Sequence, residues 1–372
     1  LTHRETIAEG LAREAAESAA REDATRKARA EQRLRDTNAT LRAKVETLTA
    51  DLAAASTYAD ALQYVKANPL EPVRIAPREK SSRAHEAIAV CVLSDLHLDE
   101  SVDPAEINGL NEYNPAIAAE RMDRLAIGLV WQLELMRASG SGAGYKIRDL
   151  LVPNLGDVTT NYLRDEDIHG NAMTPMDGFV FAAGLEVRFL ATIAERCPWL
   201  ARIHCPRVPG NHDRMSLTRR TPFRKRVALS SAPLLAHMIA SAPEIRADKR
   251  ITIELSHAEH VYVDVFGKTL RGMHGDRFKY QGGVGGIFVP ARRHVQGLNK
   301  TRHAEITIFG HYHTQKADDL WISNGSLIGP NAYSIANGMD PEPPAQVFFL
   351  IDKARGKRNV TPIQVGRKDE WS

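Results

Sequence analysis

Apolar positions along the chain change period twice, and each change marks a different kind of element. From Leu34 the apolar side chains recur by fours and threes. Leu34, Leu41, Val45, Leu48, Leu52, Ala55, Ala59 and Leu62 fall on one heptad seam, with Asn38 at a core position of the same seam. Residues 1–66 hold one glycine and no proline and are rich in Ala, Glu, Arg and Leu, so the spacing predicts one helix or two. A single Asn in such a seam fixes register and strand number, which points to a parallel two-stranded coiled coil and a homo-oligomer. The stretch carries 11 basic and 11 acidic residues, the balance of a solvated helix. Pro69, Pro72 and Pro77 then remove donors and bias their neighbours away from helix. The expected organisation is a helical coiled-coil arm over 1–67, a proline-containing linker over 68–86 and a body over 87–372.

In the body, short apolar runs alternate with longer periodic stretches. Strands are predicted at Ala87–Leu93, Asp149–Leu155 and Ala201–Val208, then a hairpin over Glu259–Met273 turning at Gly267-Lys268. Further strands are expected at Glu305–Phe309, Asp319–Ser323 and Gln346–Ile351. Helices are predicted at Pro115–Arg137, Met176–Arg196 and Leu229–Ile239. Alternation early and consecutive strands late give an α/β chain, with a mixed sheet or a sandwich carrying helices outside.

Composition narrows the function more than the fold. Across 372 residues, 49 Lys and Arg stand against 46 Asp and Glu, a net charge of +3, which excludes a binder that works through bulk cationic excess. The three cysteines, Cys91, Cys197 and Cys205, are too few and irregular for a disulfide scaffold or a zinc knuckle. No apolar run approaches the ~20 residues of a membrane span and no signal-peptide pattern opens the chain. The expectation is therefore a cytoplasmic protein with no membrane partner.

The chemistry lies just past the predicted strands, where open α/β sheets present functional side chains. The first strand leads into Ser94-Asp95-Leu96-His97 and the second into Gly156-Asp157. The third leads into Gly210-Asn211-His212-Asp213, the hairpin into His274-Gly275-Asp276, and the next strand into Gly310-His311-Tyr312-His313. Asp, Asn and His are oxygen and nitrogen ligands suited to Mn, Fe, Zn or Ni. Asp95 with His97, and His311 with His313, are two residues apart; in extended segments each pair would face one side and chelate. A GNHD tetrapeptide alone arises by chance about once in a thousand chains of this length, so the ordered set is hard to read as five separate turns and caps.

This set resembles that of the calcineurin-like metallophosphoesterases, whose pattern is DxH, GD, GNH[DE], a lone His and GHxH; the resemblance covers about residues 87–330. It implies a four-layer α-β-β-α sandwich of two mixed sheets. It also implies two divalent ions, manganese first, with Fe, Zn, Ni or Mg as alternatives. One ion would take Asp95, His97, Asp157 and His313; the other would take Asp157, Asn211, His274 and His311, with Asp157 bridging. Two ions ~3.5–4 Å apart supply hydroxide from water near neutral pH and need no covalent protein intermediate. His212, assigned to no metal, would meet the leaving group, with Asp213 orienting it.

In motif detail the chain looks like the branch of double-strand-break-repair nucleases and phosphodiesterases, less like the Ser/Thr phosphatases. Thr160 stands where those nucleases often carry His and the phosphatases Asp. The expected substrate is a nucleic-acid phosphodiester, with a phosphomonoester, a nucleotide pyrophosphate or a non-enzymatic scaffold as alternatives. Arg214, Arg219, Arg220, Arg224, Lys225 and Arg226 follow the GNHD turn, and Arg292, Arg293, His294, Lys300, Arg302 and His303 precede GHxH. As a nucleic-acid grip these would line a groove, with Arg214, Arg219, Arg220, Arg292 and Arg293 as substrate contacts. Phe223, Phe278 and Tyr280 would be stacking faces, and Gly282–Gly286 a loop at the site mouth.

Overall fold

The computed structural model describes residues 2–67, 85–137, 144–163, 165–215, 225–278 and 286–366. The chain divides into two units, Leu1–Pro77 and Arg78–Ser372. Most of the expected linker, residues 68–84, lies outside the described residues, as do Arg219, Arg220, Phe223, Arg224, Tyr280 and Gly282–Gly285.

The described part of the first unit is one helix, α1 (Thr2–Ala67). Helix-forming residues fill it, and pairs one turn apart such as Arg13–Glu17 and Lys27–Asp23 add a few tenths of a kcal/mol each. Leu34, Leu41, Val45, Leu48 and Leu52 stand 54–71% exposed along it.

In the second unit, β1 (His85–Cys91), α2 (Pro115–Arg137), β2 (Tyr145–Leu151), α3 (Asp165–Gly170), α4 (Pro175–Arg196) and β3 (Arg202–Arg207) come first. They are followed by α5 (Ala232–Ser241), α6 (Pro243–Ala247) and β4 (Ile251–Leu255). The hairpin β5 (Val261–Val265) and β6 (Lys268–Met273) precedes α7 (Phe288–Asn299), β7 (Ile306–Phe309), β8 (Lys316–Ala317) and β9 (Trp321–Ser323). The chain closes with α8 (Ala332–Ala336), β10 (Ala345–Asp352) and β11 (Gly356–Gln364). One sheet has the order β11-β10-β1-β2-β3-β4 and the other β5-β6-β7-β9-β8. Both are mixed: β1 to β4 run parallel and β6, β7 and β9 run parallel, with antiparallel strands at the edges.

Three apolar layers hold this together. Ala87, Ala89, Cys91, Phe348 and Leu350 face α2 and α4, packing on Leu125, Leu129, Phe179 and Phe189. The alternate residues Val90, Val92, Val347, Phe349 and Ile351 face the second sheet and meet Val261, Leu270, Ile306 and Ile308. Phe309, Trp321 and Met273 on the far side of that sheet pack on Ala291 and Val295 of α7. Burial on both faces is why β1 and β10 read as unbroken apolar runs rather than alternating ones. The result is helix, sheet, sheet, helix.

Several boundaries differ from the pattern-based expectation. β2 begins at Tyr145, four residues before the predicted start, and stops before Pro153, which has no N–H for the ladder. Strands β4, β8 and β11 and helix α7 were not predicted. β4 alternates Ile with Thr and Glu over only five residues, β8 is two residues long, and β11 carries Lys, Arg and Asn at a sheet edge.

Candidate metal centre

Every predicted ligand leaves the carboxyl end of a parallel strand. Asp95 and His97 follow β1, Asp157 follows β2, Asn211 follows β3, His274 follows β6, and His311 and His313 follow β7. The two sheets therefore deliver ligands to one place from opposite sides. The ligand atoms of Asp95, His97 and His313 lie within 4.8 Å of one another, as do those of Asp157, His274 and His311. Asn211 adjoins the second group, its Oδ1 2.9 Å from Nε2 of His274.

The loops that carry these side chains are not extended. Asp95, His97, Asp157, His311 and His313 have φ between 48° and 72°, the left-handed region that costs a non-glycine residue roughly 1 kcal/mol. His311 and His313 stand in different groups, as the family resemblance implies, and do not chelate together as neighbours on an extended segment would. Backbone hydrogen bonds hold the turns. The His311 N–H donates to both carboxylate oxygens of Asp95 at 2.9 Å, and the His212 N–H donates to Oδ1 of Asp157 at 2.7 Å.

Two motif glycines are explained by close approach. A Cβ at Gly210 would sit 2.0 Å from Oδ1 of Asp157, and one at Gly310 would sit 2.2 Å from Oδ2 of Asp95. Asp and Gly of different motifs thus interlock, and the loops pack with no room for a methyl group.

Proton positions follow from the partners. Nδ1 of His274 lies 2.9 Å from the Leu155 carbonyl, which can only accept, so Nε2 is the nitrogen that faces Asp157 and Asn211. Burial opposes charge on His274, but the Asp157 carboxylate at 3.0 Å outweighs it and raises the imidazole to about 9. Burial alone would raise Asp157 too, yet His274 and its neighbours hold that carboxyl well below the usual range. Burial, helped by the neighbouring histidines, pushes His97 well below its ordinary value and His311 down to about 3. Burial also lowers His313. Burial and neighbouring charge thus favour the neutral, metal-competent imidazole at His97, His311 and His313 beside an ionised Asp157.

Nε2 of His97 is buried and has no hydrogen-bond partner among the described residues. A buried polar nitrogen left bare costs free energy unless something satisfies it, and beside Asp95 and His313 a divalent cation does so. The donor set of His and carboxylate with one Asn amide suits Mn, Fe or Zn.

Around the ligands lies a shell that the motifs did not reveal. Thr160 contacts Nδ1 of His97 at 2.8 Å through its hydroxyl, which also donates to Oε2 of Glu100 at 2.7 Å. The Thr160 carbonyl accepts from Nδ1 of His212 at 2.8 Å, leaving Nε2 of His212 free to face the cleft. Asp99 accepts from the backbone N–H groups of Thr160 and Asn161. Asn161 ties down the carbonyls of His212 and Arg214. Only Thr160 was singled out from sequence; Glu100, Asn161 and Asn331 belong to no motif and are assembled by the fold.

Three expectations need correction. Asp213 does not orient the His212 ring, because its Oδ2 is taken by the N–H groups of Gly210 and Asp157 at 2.6 and 3.2 Å. It braces two loops instead. Of the described basic residues in the two runs, two arginines are committed to ion pairs. Arg226 is buried and paired with Glu259 and Asp276, and Arg292 pairs with Asp318 and Asp319; Arg293 is exposed on α7, away from the cleft lining. Arg214 sits in the His212 turn, bridged to Ser230. Phe278 is no open stacking face, since it is packed against Phe309 and Tyr312.

A cleft of about 640 Å³ opens over the ligands, and its described lining includes Glu100, Asp103, Glu106 and Asp167 and no Lys or Arg. No described helix is long and apolar enough to cross a membrane.

No family model matches the chain, and no curated protein matches it. Solved structures give weak likenesses. An archaeal phosphodiesterase shares 9% identity at a TM-score of 0.31, over 74% of this chain and 99% of that one. Vps29 from Entamoeba histolytica, complexed with zinc, shares 12% at a TM-score of 0.28, over 75% of this chain and 99% of that one. A predicted phosphoesterase from Streptococcus pneumoniae TIGR4 shares 12% at 0.28, over 75% and 93%. Likenesses at this level add nothing to the reading of the site, which rests on the chain's own residues.

Proposed function

We propose that this chain is a metal-dependent phosphoesterase that hydrolyses small phosphodiesters. The observation that carries the reading is the pair of ligand groups, Asp95, His97 and His313 beside Asp157, His274 and His311, with the bare Nε2 of His97 in the first. Asp95, His97 and His313 would hold one ion and Asp157, Asn211, His274 and His311 the other. Divalent ions bound there would acidify water and offset charge on a phosphoryl group.

The chain's own contribution is positional and acid–base. His212 is held by the Thr160 carbonyl with Nε2 toward the cleft, where a proton on that nitrogen can be donated to a departing oxygen. Asp157 is fixed by the His212 N–H, so the acid and a ligand move as one body. The acidic residues among the described cleft lining bear on the substrate: a diester carries one negative charge and a monoester up to two, and a nucleic-acid backbone repeats its charge along the groove. A singly charged diester meets the least repulsion. The exposed seam of α1 supports a second element of the reading, that two copies associate through this helix.

The test is a panel run on chelator-stripped protein reloaded with Mn²⁺, comparing p-nitrophenyl phosphate, bis-p-nitrophenyl phosphate, and single- and double-stranded DNA. Turnover of the small diester ahead of the others is expected. Cleavage of the monoester alone overturns the diester reading, and faster cleavage of DNA restores the nuclease expectation. Inactivity with Mn²⁺, Fe²⁺, Zn²⁺, Ni²⁺ and Mg²⁺ overturns the enzyme reading and leaves the helical arm as the working part of a scaffold.

A further inference from the structure

The shell around His97 has a direction. Asn331 caps α8, where its Oδ1 accepts from the Ser334 N–H at 3.0 Å, which turns its amide nitrogen outward as a donor. That nitrogen reaches Oε1 of Glu100 at 2.8 Å. The other oxygen of Glu100, Oε2, accepts the only hydroxyl proton Thr160 has, at 2.7 Å. Burial raises Glu100, and the donors Thr160 and Asn331 oppose that rise; with Glu100 ionised the Thr160 oxygen has lone pairs alone to offer, so the contact at 2.8 Å is donated by Nδ1–H of His97. A neutral imidazole with its proton on Nδ1 has none on Nε2, and Nε2 is the bare buried atom in the first ligand group.

We propose that Asn331, Glu100 and Thr160 form a positioning relay that fixes His97 in the tautomer able to bind a metal ion. Glu100 and Asn331 are positioning residues, acting through Thr160. The proposal rests on the metal reading above and adds to it the residues that prepare one ligand. Thr160 serves two histidines with different atoms, hydroxyl to His97 and carbonyl to His212, and its own N–H is held by Asp99. Thr160→Val keeps the shape and the backbone contacts and removes the hydroxyl alone. The second ligand group has its own partner, the Leu155 carbonyl on His274, and lies outside the relay.

Two measurements on the full chain test this. In Mn²⁺ titration calorimetry of chelator-stripped protein, the wild type should take two ions. Thr160→Val should bind one of them ~10–100-fold more weakly and the other unchanged, the usual size for loss of an outer-shell partner, while Thr160→Ser keeps wild-type affinity. Uptake of two ions by the wild type with unchanged affinities in Thr160→Val overturns the relay alone. Failure of the wild type to take up any ion overturns the metal reading, and the relay with it. The second measurement uses the wild type alone. Long-range ¹H–¹⁵N spectra of metal-free wild type should show His97 protonated at Nδ1, and a proton on Nε2 overturns the proposal.

Discussion

Replacing Gly210 by Ala probes the interlock of the motif loops with the smallest possible change. The added Cβ would lie 2.0 Å from Oδ1 of Asp157 and 2.5 Å from its backbone nitrogen. A relaxed carbon–oxygen contact is about 3.4 Å, so the carboxylate or the whole turn must retreat by roughly 1.4 Å. Neither partner is a flexible side-chain tip: Asp157 is buried, its φ is 53°, and Oδ1 already accepts the His212 N–H at 2.7 Å. Overpacking of this kind costs about 1–3 kcal/mol, which for a body of this size lowers Tm by roughly 3–10 °C. The larger effect falls on function, because a misplacement of ~1 Å in a reacting array costs on the order of 100-fold in turnover. Melting curves, Mn²⁺ calorimetry and bis-p-nitrophenyl phosphate turnover measure the three consequences together. Gly184→Ala on the exposed face of α4 is the matched control. It meets nothing within 4 Å and should be neutral or stabilising by about 0.5 kcal/mol. Wild-type metal affinity and turnover in Gly210→Ala would refute the argument.

His212→Ala should leave the uptake of two ions intact and lower turnover by at least ~100-fold, since the residue contributes Nε2 to the cleft and no ligand; unchanged turnover sinks the acid assignment. Deleting residues 1–66 should convert an oligomer to a monomer by light scattering, and a full-length chain that is already monomeric excludes association through the seam. His260 gives a pH test outside the metal cluster. Burial holds its folded value at about 4, below the ~6.5 of an unfolded histidine, so the unfolded chain binds the extra proton. The contribution is complete above pH 6.5 and is lost as pH falls toward 4; His260→Gln should flatten that slope in urea unfolding, and an unchanged slope refutes it.

How much was legible from sequence follows the range of the interaction. α2 was bounded correctly at Pro115 and Arg137, because an N1 proline and a 3.6-residue apolar period are local signals. The residues of the two candidate groups were legible because strand ends in parallel sheets are where such residues gather, so order along the chain stood in for position in space. What failed was non-local or conformational. Nothing in Asp95-Leu96-His97 or His311-Tyr312-His313 announces the left-handed backbone found at both ends of each motif. Asp213 follows His212 in the chain yet bonds Gly210 and Asp157, since an adjacent residue in a tight turn points elsewhere. Glu100 and Asn331 are 231 residues apart, and only the fold places them in contact.

Each ligand group draws on both sheets: Asp95 and His97 face His313 from across the sandwich, and Asp157 faces His274 and His311. The apolar contact between Val90, Phe349, Leu270 and Ile308 is therefore a spacer gauge for the candidate ligands at its rim. A methylene added or removed in that layer changes the separation of two rigid sheets, and close-packed interiors transmit such strain rather than absorb it. On the proposed metal reading, cation choice by radius is open to tuning from positions that touch neither ion nor substrate, in the layer where sequence drift is usually taken to alter stability alone.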